Sequence, residues 1–558
     1  MTTAGRTAAP PILLDELLRH RGEALLADLA ARLDTAVAAG DPVQPPLLTG
    51  LQASAPAVLT AAWFQERRRT ALCVVPTREG ALQLSDDLEA WLGRERVVYL
   101  PQQEVLVYDR KSPDPALVGD MLHGVDRLRG ADPVLAVTSL TAVRQRIMAP
   151  QTLTGAIVRV EVGQRLDPDA FCGDLAARGY RPAGMVARPG DFARRGGLID
   201  VYAPGELTLR IELFDDEVVS LRRFDPESQR GTSSAPLDRA WVYPVSHLLR
   251  DEETQLACLA HLEQEKLAGR LDDDEFWDLE ARIEEGRDCG GLETFLPWFG
   301  PTARLFDYLP EAAPVFWFEP VKLGVQMELL DEELPRLRET RLARDPVVPT
   351  QDELICPPGD LADRRLQHVW LSTSWIRGDE AGRWLGGEPA AITDHATRRP
   401  DIKGGDVDRL RRFLHAQEAA GETALLLCDN RGQAERLADL LDEHELGPPT
   451  ARPLVGHLTG GFVWPDLGLS VVTDHEVFER YRRQGRVRHR GSGIVKDRAS
   501  LKPGEYVVHV EYGIGRYRGL KRIEVEGTEC ECLEIEYAEQ GKVFVPVESI
   551  DRVERYAS

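Results

Sequence analysis

Residues 501–519, LKPGEYVVHVEYGIGRYRG, open a small all-β module that runs to the last residue of a chain otherwise read as α/β. Gly504 and Glu505 turn the backbone, and residues 506–510 follow as a strand. Gly513 and Gly515 bracket Ile514, a pattern that reads as a tight turn where side chains would clash. Further strands are expected over residues 518–524, 532–537 and 542–547. None of them offers a nucleophile beside a base, a metal cluster or a phosphate cradle. A small open sheet without catalytic groups is most simply a docking surface for another protein.

Upstream the grammar changes. Residues 71–75 (ALCVV) form a short apolar strand, and a polar turn at 76–79 leads into a helix with Ala81, Leu82, Leu84 and Leu88 as its apolar positions. Strands at 97–100 and 134–137 flank a helix over residues 117–129. Strands alternating with helices predict a parallel sheet with right-handed crossovers, over residues 1–150. From residue 151 to 245 the texture is β-rich, with strands at 157–162, 198–201, 207–213 and 218–224 and one helix near 168–178. Residues 246–345 return to helix, including a charged amphipathic stretch at 262–286, and the apolar run 314–318 (PVFWF) rejoins the first sheet. The acidic cluster Asp272, Asp273, Asp274 and Glu275 reads as a solvated helix start, its carboxylates at the positive end of the dipole, rather than a metal site. A second small α/β domain spans 346–478, with strands at 424–428 and 469–473 around a helix at 433–443. The basic run 480–490 (RYRRQGRVRHR) marks a linker, 479–496, before the terminal module at 497–558.

Charge and composition narrow the function. A formal net charge of −24 does not suit a free-standing nucleic-acid binder, which carries a basic face. No apolar run of about 18 residues exists, so no membrane span is expected, and residues 1–18 lack the apolar core of a signal peptide. The 8 cysteines are scattered; only Cys530 and Cys532 are close, on one face of a strand, and free thiols in a reducing cytoplasm are expected.

Catalytic motifs are missing. Residues 50–56 (GLQASAP) sit where a nucleotide-dependent motor would place its phosphate loop. Such a loop needs clustered glycines to surround phosphate with N–H groups, then a Lys and a Ser or Thr for charge and Mg²⁺. The lysine is absent here, and G-x-x-x-x-G-K-[ST] occurs nowhere in the chain. Without that cation the β- and γ-phosphates lose their main neutralising partner. There is also no G-x-S-x-G and no H-E-x-x-H, and the 12 histidines form no ligand cluster along the sequence. The expectation is a non-catalytic scaffold with no catalytic residue, no metal and no cofactor.

Several segments together resemble one family. Residues 76–81 (PTREGA), 104–109 (EVLVYD) with Ser112 and Pro113, 190–202 (GDFARRGGLIDVY), 209–217 (LRIELFDDE) and 224–226 (FDP) are similar to the UvrB-homology region of the bacterial transcription-repair coupling factors, the Mfd family. Residues 501–519 resemble that family's RNA-polymerase-interacting domain, the fold shared with CarD-type regulators. The resemblance implies an α/β multidomain chain: a degenerate P-loop-type parallel sheet (UvrB-like domain 1a, completed by domain 1b at 246–345), a β-rich insertion (domain 2), a second small α/β domain (domain 3) and a C-terminal small all-β, CarD/Tudor-like domain. It implies transcription-coupled nucleotide excision repair in the cytoplasm. UvrA would bind through Arg195, Arg210 and Glu212, where arginine forks and a carboxylate can present paired charges across an interface. The RNA polymerase β subunit would bind at Lys521, Arg522, Ile523 and Glu524 by strand addition. Family members continue into two translocase lobes with the ATP and Mg²⁺ site, whereas this chain ends at Ser558. The resemblance therefore implies the adaptor half, with most DNA contact and all ATP hydrolysis supplied by those lobes. Two other readings compete: a helicase or nuclease subunit with an unconventional site, and a CarD-like transcription regulator with a structural body and no repair partner.

Overall fold

Fully buried five-residue strands such as Ala71–Val75, Leu135–Ser139 and Pro314–Phe318 are accommodated where helices cover both faces of a sheet. In the computed structural model they are the middle of a seven-stranded, all-parallel sheet. Its order is Ile392–Asp394, Leu47–Thr49, Gln367–Leu371, Pro314–Phe318, Ala71–Val75, Leu135–Ser139, Val97–Tyr99. Alternate residues feed two cores: Cys73, Val75, Val137 and Phe316 on one side, Leu72, Val74, Ala136 and Trp317 on the other. The structure describes residues 23–232, 235–285, 290–374, 388–402, 407–443 and 453–478, and in the terminal module 506–509, 513–525, 528–536, 542–546 and 553–555. The basic run 480–490 and the linker lie outside them.

Sequence texture sets residues 346–478 apart, but the sheet takes its first part. Gln367–Leu371 pairs with both Leu47–Thr49 and Pro314–Phe318, and Ile392–Asp394 lies on the edge. What remains is a four-stranded sheet in the order Pro453–Val455, Thr423–Cys428, Leu469–Thr473, Phe462–Trp464, the last strand antiparallel. It is not free-standing either. Leu425, Leu427, Phe462, Trp464 and Val471 join the same buried cluster as Trp63, Phe64 and Cys73. The charged stretch 262–286 is likewise two helices, Glu252–Leu267 and Asp273–Glu285, rather than one. Asp272 begins the second: its carboxylate accepts the Glu275 amide at 2.8 Å and the Glu275 carboxylate accepts the Asp272 amide at 2.9 Å.

The insertion forms a five-stranded sheet in the order Glu217–Arg223, Leu207–Phe214, Leu198–Ala203, Asp191–Arg195, Arg181–Pro182. Ile199, Ile211 and Leu221 are fully buried beneath it, with Phe171 and Leu175 of the helix Pro168–Ala177. Residues 158–161 pair outside that sheet, with Arg239–Val242. Helix Pro115–Leu128 of the main body seats the insertion closely. A Cβ on Gly119 would stand 2.4 Å from Pro204, and His123 packs edge-on to Tyr243 at 4.8 Å.

The terminal module is a separate unit, a five-stranded antiparallel sheet in the order Lys542–Pro546, Thr528–Glu536, Gly513–Val525, Tyr506–His509, Val553–Arg555. Gly513, Ile514 and Gly515 are strand residues opposite His509, Val508 and Val507, not a turn.

Candidate partner-docking site

Antiparallel register sets which side chains share a face of the insertion. Arg195 lies opposite Leu198, and Leu198 opposite Glu212, which faces Ser220. Two residues along, Ala193, Asp200, Arg210 and Arg222 form the next row. Both rows lie on the side away from Ile199 and Ile211, so Arg195, Arg210 and Glu212 share the outer face.

They are not equivalent there. Arg195 is exposed, and its guanidinium donates to the Gly184 carbonyl at 2.7 Å. Glu212 is half-buried. Arg210 is committed internally. It forks onto Asp200, Nε to Oδ1 at 2.7 Å and Nη2 to Oδ2 at 2.8 Å, donates to the Gln229 carbonyl at 3.2 Å, and lies 5.2 Å over the Phe224 ring. The hydrogen bonds that Arg210 donates to Asp200 hold the Arg210 pKa above its ordinary value. Asp200 is only 3% exposed, so this pair anchors the strands more than it offers free charge.

The same face carries apolar groups that sequence reasoning passed over. Leu198 is 37% exposed and Phe214, two residues beyond Glu212, is 72% exposed. Val219 is exposed at the register shift between the two outermost long strands. Period-two counting from Glu212 is the signal that would have found Phe214.

The second site is an edge. In the terminal module Lys521 pairs with Cys532, Arg522 with Glu531, Ile523 with Cys530 and Glu524 with Glu529. On the other side of that strand, Tyr506–His509 pairs only with residues 513–516. Among the described residues, then, the segment 517–525 has a neighbour on one side alone. Lys521 is exposed, while Tyr517, Leu533 and Ile535 are buried nearer the module's centre.

The phosphate-loop position is closed by protein. Residues 50–56 do lie between a strand, Leu47–Thr49, and a helix, Ala55–Arg67; the strand is too short to stand out in the sequence. The Leu51 amide donates to the Ser372 carbonyl at 3.2 Å, the Gln52 amide to Thr397 Oγ1 at 2.7 Å, and the Ser54 amide to the Gly460 carbonyl at 3.3 Å. Ser54 Oγ donates to the buried Asp87 at 2.7 Å and accepts the Gly460 amide at 3.1 Å. Asp87 also accepts from Thr459 N and Oγ1, at 2.6 and 2.8 Å. A Cβ on Gly50, whose φ is +73°, would meet Asp394 at 2.1 Å. The Leu51, Gln52 and Ser54 amides are thus taken by acceptors within the protein.

Folding also gathers three donors that are scattered in the sequence, where no ligand cluster was expected. Asp429, His457 and His475 converge, their ligand atoms all within 4.8 Å of one another.

Two family models match parts of the chain. Residues 158–248 match the UvrB interaction domain, and residues 501–557 match the CarD-like/TRCF RID domain. Transcription-repair-coupling factors align along most of the rest. The Myxococcus xanthus protein is 29% identical over 91% of this chain and 45% of its own length. The Bacillus subtilis protein is 26% identical over 91% and 45%, and the Escherichia coli protein 26% over 92% and 45%. Over most of its length the chain is similar to the transcription-repair-coupling factors. It spans about half the length of these curated relatives. Within the coupling-factor order, the outer face of the insertion falls inside the UvrB interaction match and the half-paired edge inside the CarD-like match.

Proposed function

We propose that this chain is an adaptor in transcription-coupled nucleotide excision repair, holding RNA polymerase through its terminal module and UvrA through its insertion. The observation that carries this reading is the presence, in one chain similar to the coupling factors, of a UvrB interaction domain and a CarD-like domain. Arg195 and Glu212 present charge at the UvrA face, with Leu198 and Phe214 as apolar anchors beside them. Arg210 acts by holding the strands that carry them. The segment containing Lys521, Arg522, Ile523 and Glu524 adds an edge to a strand of the polymerase β subunit, backbone groups supplying affinity and side chains register. ATP-driven movement on DNA belongs, on this reading, to the remaining length of the coupling factors, because the loop at residues 50–56 spends its amides on internal contacts.

Pull-down of purified UvrA and of purified RNA polymerase, each separately, tests the reading. Both complexes are expected. Capture of polymerase alone would leave a CarD-like regulator, and DNA-stimulated ATP hydrolysis by the chain would reinstate the enzyme.

A further inference from the structure

The four-stranded sheet brings three donors together at one end. Asp429 directly follows the strand Thr423–Cys428, His457 lies just past Pro453–Val455, and His475 just past Leu469–Thr473. These are three adjacent parallel strands, with the Asp429 strand in the middle. Their carboxyl ends are where open α/β sheets place ligands. Asp429 Oδ1 is 2.6 Å from His457 Nδ1, and Oδ2 is 2.9 Å from His475 Nε2. The two imidazole rings stand edge to face, 6.2 Å between centroids. A second carboxylate oxygen, Asp474 Oδ1, lies 3.8 Å from the same His475 nitrogen.

We propose that Asp429, His457 and His475 form a divalent transition-metal site, with zinc its best fit. Two imidazoles and a carboxylate are a borderline donor set that suits zinc and its cobalt substitute, rather than the all-oxygen cage that calcium or magnesium takes. Ligand atoms about 3.3 Å apart make the edge of a tetrahedral zinc site, so the His457–Asp429 separation of 2.6 Å and the His475–Asp429 separation of 2.9 Å would open by about 0.7 and 0.4 Å. Entry is available: side-chain exposure is 31% for Asp429, 30% for His457 and 16% for His475. Three protein donors leave a fourth position for water or for Asp474. His457 begins the loop whose Thr459 and Gly460 close the phosphate-loop position, so a bound metal would tie that loop to two other strand ends.

The untagged full chain, freed of metal by chelator, is titrated with Co²⁺ and Zn²⁺. The expected result is one equivalent of Co²⁺ per chain giving the visible absorption of a four- or five-coordinate site, displaced by Zn²⁺. Asp429→Asn, His457→Gln and His475→Gln should each weaken binding by about tenfold or more, whereas His415→Gln, on an exposed helix position, should not. X-ray absorption of the zinc-loaded wild-type protein reads the ligands without any variant and should show two imidazoles with oxygen donors. Failure of the wild-type chain to bind one equivalent, binding undiminished in the variants, or a different ligand set would each overturn the site.

Discussion

On the proposed reading, the insertion and the terminal module present two kinds of recognition surface. The insertion offers a face: central strands paired on both sides, a buried apolar underside, and an outer row of charge and apolar groups at set register. The module offers an edge: a long strand whose distal half has one described neighbour. A face speaks through side chains, so its specificity is vulnerable to single substitutions. An edge speaks largely through backbone, so it tolerates changes that do not alter pairing or register. Arg210 shows the boundary. It lies on the face, yet its fork is spent on Asp200.

Arg210→Ala should have the largest effect, and on stability rather than docking. It strands the buried Asp200 carboxylate without its partner, a loss of about 3–5 kcal/mol read by urea unfolding of the insertion. Unchanged stability would return Arg210 to the docking face. Acid should separate the two regions next. Burial pushes His247, beside the root of the insertion, down to about 4 from 6.5, and His123 behaves alike. Their folded values are depressed, so the stability they contribute is present above the unfolded value and is lost as pH falls toward the folded one. At about pH 5 the loss from His247 is roughly 2 kcal/mol relative to neutrality. His247→Gln should flatten that acid dependence in thermal melts.

Phe214→Ala should cost about 2 kcal/mol of UvrA affinity with stability changed by less than about 0.5 kcal/mol, measured by calorimetry and melting. Retained affinity would move the interface off this face. Ile523→Arg should weaken polymerase binding about tenfold, about 1.4 kcal/mol, and leave UvrA binding alone. Arg195→Ala is expected to be the mildest, within about 1 kcal/mol and fading as salt is raised.

Much of the fold was legible because period carries it. Continuous apolar runs marked the buried strands at 71–75 and 314–318, and alternation marked 207–213 in the insertion. Short strands such as Leu47–Thr49 and Ile392–Asp394 carry too few residues to show a period, so the true edge of the first sheet was hidden. The double glycine at 513–515 misled because Gly signals permission for a turn, not its presence. Of the candidate site, family motifs located Arg195 and Glu212, but only cross-strand register separates exposed Arg195 from internally paired Arg210. Asp429, His457 and His475 could not be joined by spacing, since parallel strands bring distant residues together only after the crossovers are made.

The account rests on one chain holding two protein partners through separate surfaces. Size-exclusion chromatography of the chain with UvrA and RNA polymerase together tests it most directly. The expected result is a ternary complex that loses UvrA alone on Phe214→Ala and polymerase alone on Ile523→Arg. Elution of the chain apart from both partners would contradict it.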